Sequence, residues 1–239
     1  MRFLWIVQIL VLTPCFADAW RTKEPSGISF SDYISQINHF SIIEGAGSLG
    51  SYLTKVSLGG QFIKGEKTVI SEDSGFYLSK KHSASEDLFL PQITIQKGLS
   101  IPVNLGVSYG ALSHGAGKQW AGFVQWSFFE RVRWPALAFR FSLSKITGME
   151  WAQIDSKSLE SIASYGFLRY FQVFASMKAS YHKATWHTEY SSQEFSKISH
   201  AHGFGLEVAI MPPYTSLAIE QQNLENQQKL YYGKISRLL

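Results

Sequence analysis

The sequence predicts an all-β fold, a closed antiparallel up-and-down transmembrane β-barrel of about ten strands within a range of eight to twelve. Three observations carry that prediction. Apolar side chains recur at every second position along most of the 239 residues, facing small or polar ones. The alternating runs are each close to the roughly 9 to 11 residues that a tilted strand needs to cross a bilayer, about twice the usual sandwich strand. The connectors between runs alternate between short and long, as they do where short turns lie on one side of a membrane and loops on the other. Composition agrees: charged residues make up 17% and aromatics 15%, which excludes a disordered chain or a coiled coil. No run beyond the first residues is long and apolar enough for a membrane-spanning helix.

Residues 1–19 read as a signal peptide. Arg2 supplies the positive start, Phe3 to Leu12 an apolar run broken by Gln8, and Ala17-Asp18-Ala19 the small-x-small cleavage pattern. Cleavage is expected before Trp20. A lipoprotein leader acylated at Cys15 is the rival reading, and Pro14 stands where such a motif takes a small residue. Cys15 is the one cysteine, so the mature chain would form no disulfide, as fits an exported bacterial protein held by a closed sheet. A net charge of +4, dispersed along the chain, gives no basis for nucleic-acid binding. Residues 20–50 lack strong alternation and read as a periplasmic or lumen-entering segment. Ser31-Asp32 could cap a short helix carrying Ile34, Ile37 and Phe40 on one side, and Gly45, Gly47 and Gly50 give a flexible approach to the barrel, residues 51–239.

The expected strands follow in order. In 52–63, Val56 and Leu58 oppose Lys55, Ser57, Gly59 and Gln61; 89–97 carries Gln92 and Gln96; in 101–110, Ile101 to Tyr109 oppose Asn104, Gly106, Ser108 and Gly110. Residues 118–129 align Trp120, Gly122, Val124, Trp126 and Phe128, and 134–144 set Leu137, Phe139, Phe141 and Leu143 against Ala138, Arg140, Ser142 and Ser144. After 157–168, the run 171–181 sets Phe171, Val173, Ala175, Met177, Ala179 and Tyr181 against Gln172, Ser176, Lys178 and Ser180; 200–210, 214–222 and 229–238 complete the set. Long connectors are expected at 64–88, 111–117, 145–156, 182–199 and 223–228, and Ser35–Ser48 and Phe76–Lys80 are the segments that could raise ten strands to twelve. Aromatics gather near both strand ends, with Phe128, Trp134, Phe167 and Phe171 toward the short turns and Tyr109, Trp120, Trp151, Tyr181 and Trp186 toward the long loops, as interfacial girdles would.

With its leader, alternation and connector pattern, the mature chain resembles the small outer-membrane β-barrel proteins of Gram-negative bacteria. That resemblance implies an outer-membrane location, lipids and lipopolysaccharide as surroundings, and the barrel-assembly machinery as a partner in biogenesis. The C-terminal assembly signal of such proteins is matched in part: Tyr231 to Leu238 keeps Gly233 and a final apolar residue, whereas Ser236 replaces an apolar residue and Leu239 ends the chain instead of an aromatic.

The candidate site is the interior, where Lys55, Arg140, Glu160, Lys178, Glu207, Glu220 and Lys234 form an expected lumen network of nearly balanced charge. It points to a non-enzymatic barrel, either structural or a narrow selective channel of porin-like kind. Two alternatives stay open: an enzyme acting on lipid or lipopolysaccharide at the outer rim, and a soluble exported barrel that binds a small ligand. For the enzyme, Ser113-His114 or Ser180 with His182 supply a nucleophile and a base without a third group. His182, His187, His200 and His202 surround one hairpin, but His200-x-His202 alone is a weak metal pair. No catalytic residue, metal site or cofactor is assigned.

Overall fold

A computed structural model describes residues 39–40, 42–51, 53–63, 88–111, 117–131, 134–148, 152–167, 170–187, 192–211, 215–224 and 229–239. They form ten strands: β1 (Thr54–Ile63), β2 (Leu88–Gly98), β3 (Val103–Ala111), β4 (Lys118–Phe129), β5 (Ala136–Thr147), β6 (Ala152–Phe167), β7 (Phe171–His187), β8 (Ser192–Met211), β9 (Thr215–Leu224) and β10 (Lys229–Leu238). Each pairs antiparallel with its chain neighbours, and β1 pairs with β10 from Lys55↔Leu238 to Ile63↔Leu230, so the sheet closes. Reciprocal main-chain bonds between Thr54 and Leu239 seal the seam at 2.8 and 3.2 Å. A closed sheet leaves no unpaired strand edge.

The pleat sends alternate residues to opposite faces, and the polarity is inverted relative to a water-soluble core. On the outside, Val107, Phe141, Leu143, Leu159, Met177 and Ile219 are exposed, Met177 to 70%. On the inside, Gln125, Arg140, Ser142, Ser158, Glu160, Lys178 and Gln222 are buried. Such a continuous apolar exterior far exceeds the isolated patches of soluble proteins. Stacked rings reinforce it near the short turns, with Phe128 and Phe139 centred 5.0 Å apart and Phe167 and Phe171 5.8 Å. Near the opposite end, Tyr109 and Trp120 meet at 4.5 Å. Arg131 sits over the Phe129 ring at 5.6 Å, just past the end of β4.

Ten strands agree with the sequence reading, but three of them are longer than expected. β6, β7 and β8 have 16, 17 and 20 residues. The expected loops at 145–156 and 182–199 shrink to the connectors 148–151 and 188–191, because the strands on either side of them extend past the expected bounds. The physical reason is the outward face of the extensions, which is polar: Lys145 pairs with Asp155 at 3.8 Å and Lys183 with Glu194 at 2.9 Å, all four well exposed. Once the outer face becomes hydrophilic, apolar alternation stops while the ladder continues. Phe76–Lys80, Trp151 and the side chain of Trp186 lie outside the described residues, as does the expected helix around Ile34 and Ile37. Residues 42–50 add no strand to the sheet; they enter the lumen.

Candidate functional site

Residues 39–40 and 42–50 lie along the barrel interior. Gly50 has a φ of 78°, in the region that favours glycine, and turns the chain from the barrel interior toward β1 at the short-turn end. There the Ser48 N–H and hydroxyl donate to Glu130 at 3.1 and 2.9 Å, and the Leu49 N–H donates to Asn104 at 3.0 Å. Deeper inside, Ala46 packs fully buried against Ala138 and Ile162; its N–H donates to Ser164 Oγ at 2.9 Å and its carbonyl accepts from Ser127 Oγ at 2.5 Å. Gly45 passes so close to the wall that a Cβ there would have to displace the Gln172 amide, while its carbonyl accepts from Gln125 at 3.2 Å. At the far end the His39 carbonyl accepts from the Tyr232 hydroxyl at 3.1 Å, and its Nε2 lies 2.5 Å from Gln222 Oε1.

The seven charges of the expected lumen network all face inward, but they fall into separate groups. Arg140 donates through Nε and Nη2 to Gln125 at 3.1 and 2.6 Å, and through Nη1 to both Glu160 at 3.0 Å and the Ile42 carbonyl at 2.7 Å. Lys178 donates to the Phe40 carbonyl. Lys55 and Lys234 both hold Glu44 Oε1, at 3.2 and 3.0 Å, and Lys55 also reaches Glu207 at 3.0 Å. Ser216 donates to Glu207 at 2.6 Å, while Glu220 accepts from Gln222 at 2.7 Å and Ser176 at 3.3 Å. Glu207 therefore belongs to the Lys55 group. Among these seven, four are cations (Lys55, Arg140, Lys178, Lys234) and three are anions (Glu160, Glu207, Glu220), and Glu44 supplies a fourth anion. Buried charge is tolerated when paired and hydrogen-bonded, and the threaded segment completes that condition.

Glu44 and the carbonyls around it were invisible to motif reading, because a main-chain acceptor is present at every residue. The one available signal was an acid set alone among Phe40, Ile42, Ile43 and the small residues Gly45, Ala46 and Gly47. Phe40 lies against Ile42, Ala121 and Phe123.

Of the chemical candidates at the rim, Ser113 and His114 lie outside the described residues. His182 is buried inside the barrel and its Nε2 meets Ser199 Oγ at 2.8 Å, not Ser180. His182 Nδ1 and Ser180 Oγ have no hydrogen-bond partner among the described residues, so no orienting acid completes a nucleophile and base there. His200 and His202 point outward, where His202 Nε2 lies 3.3 Å from Asn223 Nδ2. No cluster of three or more metal-ligating side chains occurs among the described residues.

No protein-family model matches the chain, and no curated protein matches it. Among solved structures it is similar to a KdgM porin, at 8% identity and a TM-score of 0.41 over 77% of this chain and 98% of that one. It is similar also to the N-terminal β-barrel domain of Pseudomonas aeruginosa OprF, at 13% identity and a TM-score of 0.34 over 80% and 99% of the two chains. A third is Ail, the attachment invasion locus protein of Yersinia pestis, at 13% identity and a TM-score of 0.34 over 79% and 99%. At these identities and scores each is a likeness and nothing more.

Proposed function

We infer that the protein is a non-enzymatic outer-membrane barrel, surrounded by lipid and lipopolysaccharide and inserted by the barrel-assembly machinery, whose lumen is closed by its own N-terminal segment. The inverted polarity and the strand lengths support the membrane. One observation carries the closure: the donors of Arg140, Lys178, Gln125, Ser127 and Tyr232 are taken up by main-chain carbonyls of residues 39–46. Groups that would otherwise meet a passing solute are committed to the chain itself. A narrow channel is the second reading, favoured by the same lining if the segment leaves.

Two measurements test this. Purified protein refolded in detergent, loaded unboiled, should migrate differently from boiled protein and give a β-type circular dichroism spectrum; complete folding in detergent-free buffer would sustain the soluble barrel instead. In planar bilayers the native protein should show little steady conductance. Glu44→Lys puts a third cation beside Lys55 and Lys234, expels the segment, and should raise open time at least tenfold, on the order of 1.4 kcal/mol or more of plug affinity. A large steady current from the unaltered protein would replace closure by the channel reading.

A further inference from the structure

Four outward lysines occupy adjacent strands at one end of the barrel. Lys118 on β4, Lys145 on β5, Lys157 on β6 and Lys183 on β7 share the outward parity, toward the end opposite the short turns. Register brings them together: Lys145 and Lys183 flank Asp155 in one row, and Lys157, two residues further along β6, lies diagonally to both. Lys118 faces Thr147 and is therefore diagonal to Lys145 in the same way. Diagonal neighbours on one sheet face lie about 7 to 8 Å apart, a gap that lysine side chains bridge when they meet at one anion.

The acids nearby leave the group cationic. Asp155 meets Lys145 at 3.8 Å and Glu194 meets Lys183 at 2.9 Å, both as exposed pairs. Exposed pairs are weakly held and open to exchange with another anion. Among the described residues, Lys118 and Lys157 have no acid partner. Trp120 stands beside Lys145 in register and Tyr181 beside Lys157, and toward the short turns the same face presents exposed Val124, Phe141 and Leu159. The surface is thus cationic at its end, aromatic at the boundary and apolar beyond, in the order in which an anionic lipid runs from headgroup to acyl chain.

We propose that this face of β4–β7 is a binding site for an anionic glycolipid whose headgroup carries two phosphates, as that of lipopolysaccharide does. Neighbouring strands lie about 4.8 Å apart, so the cations from β4 to β7 are spread over about 14 Å. Lys118 with Lys145 meets one phosphate and Lys157 with Lys183 the other, each amine donating a charge-assisted hydrogen bond to a phosphate oxygen. A headgroup with a single phosphate leaves half of them unused. The acyl chains lie over Val124, Phe141 and Leu159. The clustering of the lysines follows from register and parity alone; that a lipid of the outer leaflet reaches them rests on the outer-membrane reading above.

The test uses the full-length protein refolded in detergent, with the fold of each variant checked by the gel shift between unboiled and boiled samples. Native mass spectrometry measures binding of three probes: lipopolysaccharide with both phosphates, the same lipid after phosphatase treatment, and phosphatidylglycerol. The unaltered protein should bind the first at least about tenfold more tightly than either of the others, and Lys118→Gln with Lys157→Gln should abolish that preference. Lys118→Arg with Lys157→Arg should keep it, as should Lys97→Gln with Arg237→Gln, which neutralises exposed cations at the short-turn end. Phosphatidylglycerol bound as tightly as lipopolysaccharide overturns the two-phosphate assignment. A loss from the short-turn pair as large as that from the Lys118 pair, or no loss from either, overturns the site. In each of these cases a gel shift and detergent-dependent folding leave the membrane reading standing, whereas complete folding in detergent-free buffer with no lipid retained overturns the site and the membrane reading together.

Discussion

Arg140→Ala is expected to lower the unfolding free energy by about 3 to 5 kcal/mol, the usual cost of removing one partner from a buried ion pair. Arg140 is 1% exposed and its guanidinium is shared among Glu160, the Gln125 amide and the Ile42 carbonyl. Truncation leaves Glu160 charged and buried without its guanidinium, and leaves Gln125 and the Ile42 carbonyl without a donor. The cost comes mainly from those orphaned groups and less from the lost attraction, which a paired substitution can show. Arg140→Met with Glu160→Met removes both charges while keeping comparable volume, and should recover more than half of the loss. Urea titration of the refolded barrel in lipid vesicles, followed by tryptophan fluorescence, measures all three proteins. A single-variant loss below about 1 kcal/mol, a value ordinary for an exposed pair, would mean that the Arg140 group is wetter than its burial implies.

The same residue shows how much of the site could be read in advance. Arg140 is legible as a lumen residue by parity with Ala138, Ser142 and Ser144, Lys55 by parity with Ser57 and Gln61, and Lys178 by parity with Ser176 and Ser180, because the pleat has a period of two and one outward residue fixes its neighbours. Partners are a different matter. Glu160 faces Arg140 in the β5–β6 register, a pairing that needed the strand boundaries, and Lys55 meets Glu207 from β8, three strands away around the seam. The threaded segment was the least legible part. Its contacts are made by carbonyls that every sequence has, and its conformation follows from the wall that surrounds it rather than from its own pattern.

Strand ends failed for a related reason. His182 was expected at the start of a loop because Lys183, Thr185 and Glu194 around it are polar, yet they are polar only on the outward face. The inward positions of the same stretch, Ala184 on β7 and Ser199 on β8, remain buried. A loop loses both faces of the pattern; a strand that emerges from an apolar surrounding loses only one. The Lys145–Asp155 and Lys183–Glu194 pairs thus bound the apolar outer band from above, as the Phe128–Phe139 and Phe167–Phe171 stacks mark it below.

That boundary allows a depth-dependent prediction on the outer face. On β5 the outward residues run Leu137, Phe139, Phe141, Leu143 and Lys145, so Phe141 stands midway between the last turn and the first exposed charge. Phe141 is 47% exposed and pairs with Val124 and Leu159, both apolar and outward. Phe141→Arg is expected to cost about 2 to 4 kcal/mol in a lipid-embedded barrel, the penalty for a guanidinium at midplane depth. Phe128→Arg, at the aromatic rim near the short turns, should cost only about 0 to 1 kcal/mol through loss of hydrophobic surface in contact with lipid, because a long side chain there reaches the interface. The gradient between the two positions is the informative quantity, since both start as exposed phenylalanines on one outer surface. If that surface met water, both substitutions would be close to neutral or would aid solubility, and urea titrations in vesicles would return equal values for Phe141→Arg and Phe128→Arg. Equality would remove the membrane from the account of this barrel, whereas a difference of 2 kcal/mol or so in the stated order places β5 across the bilayer with Phe141 near its centre.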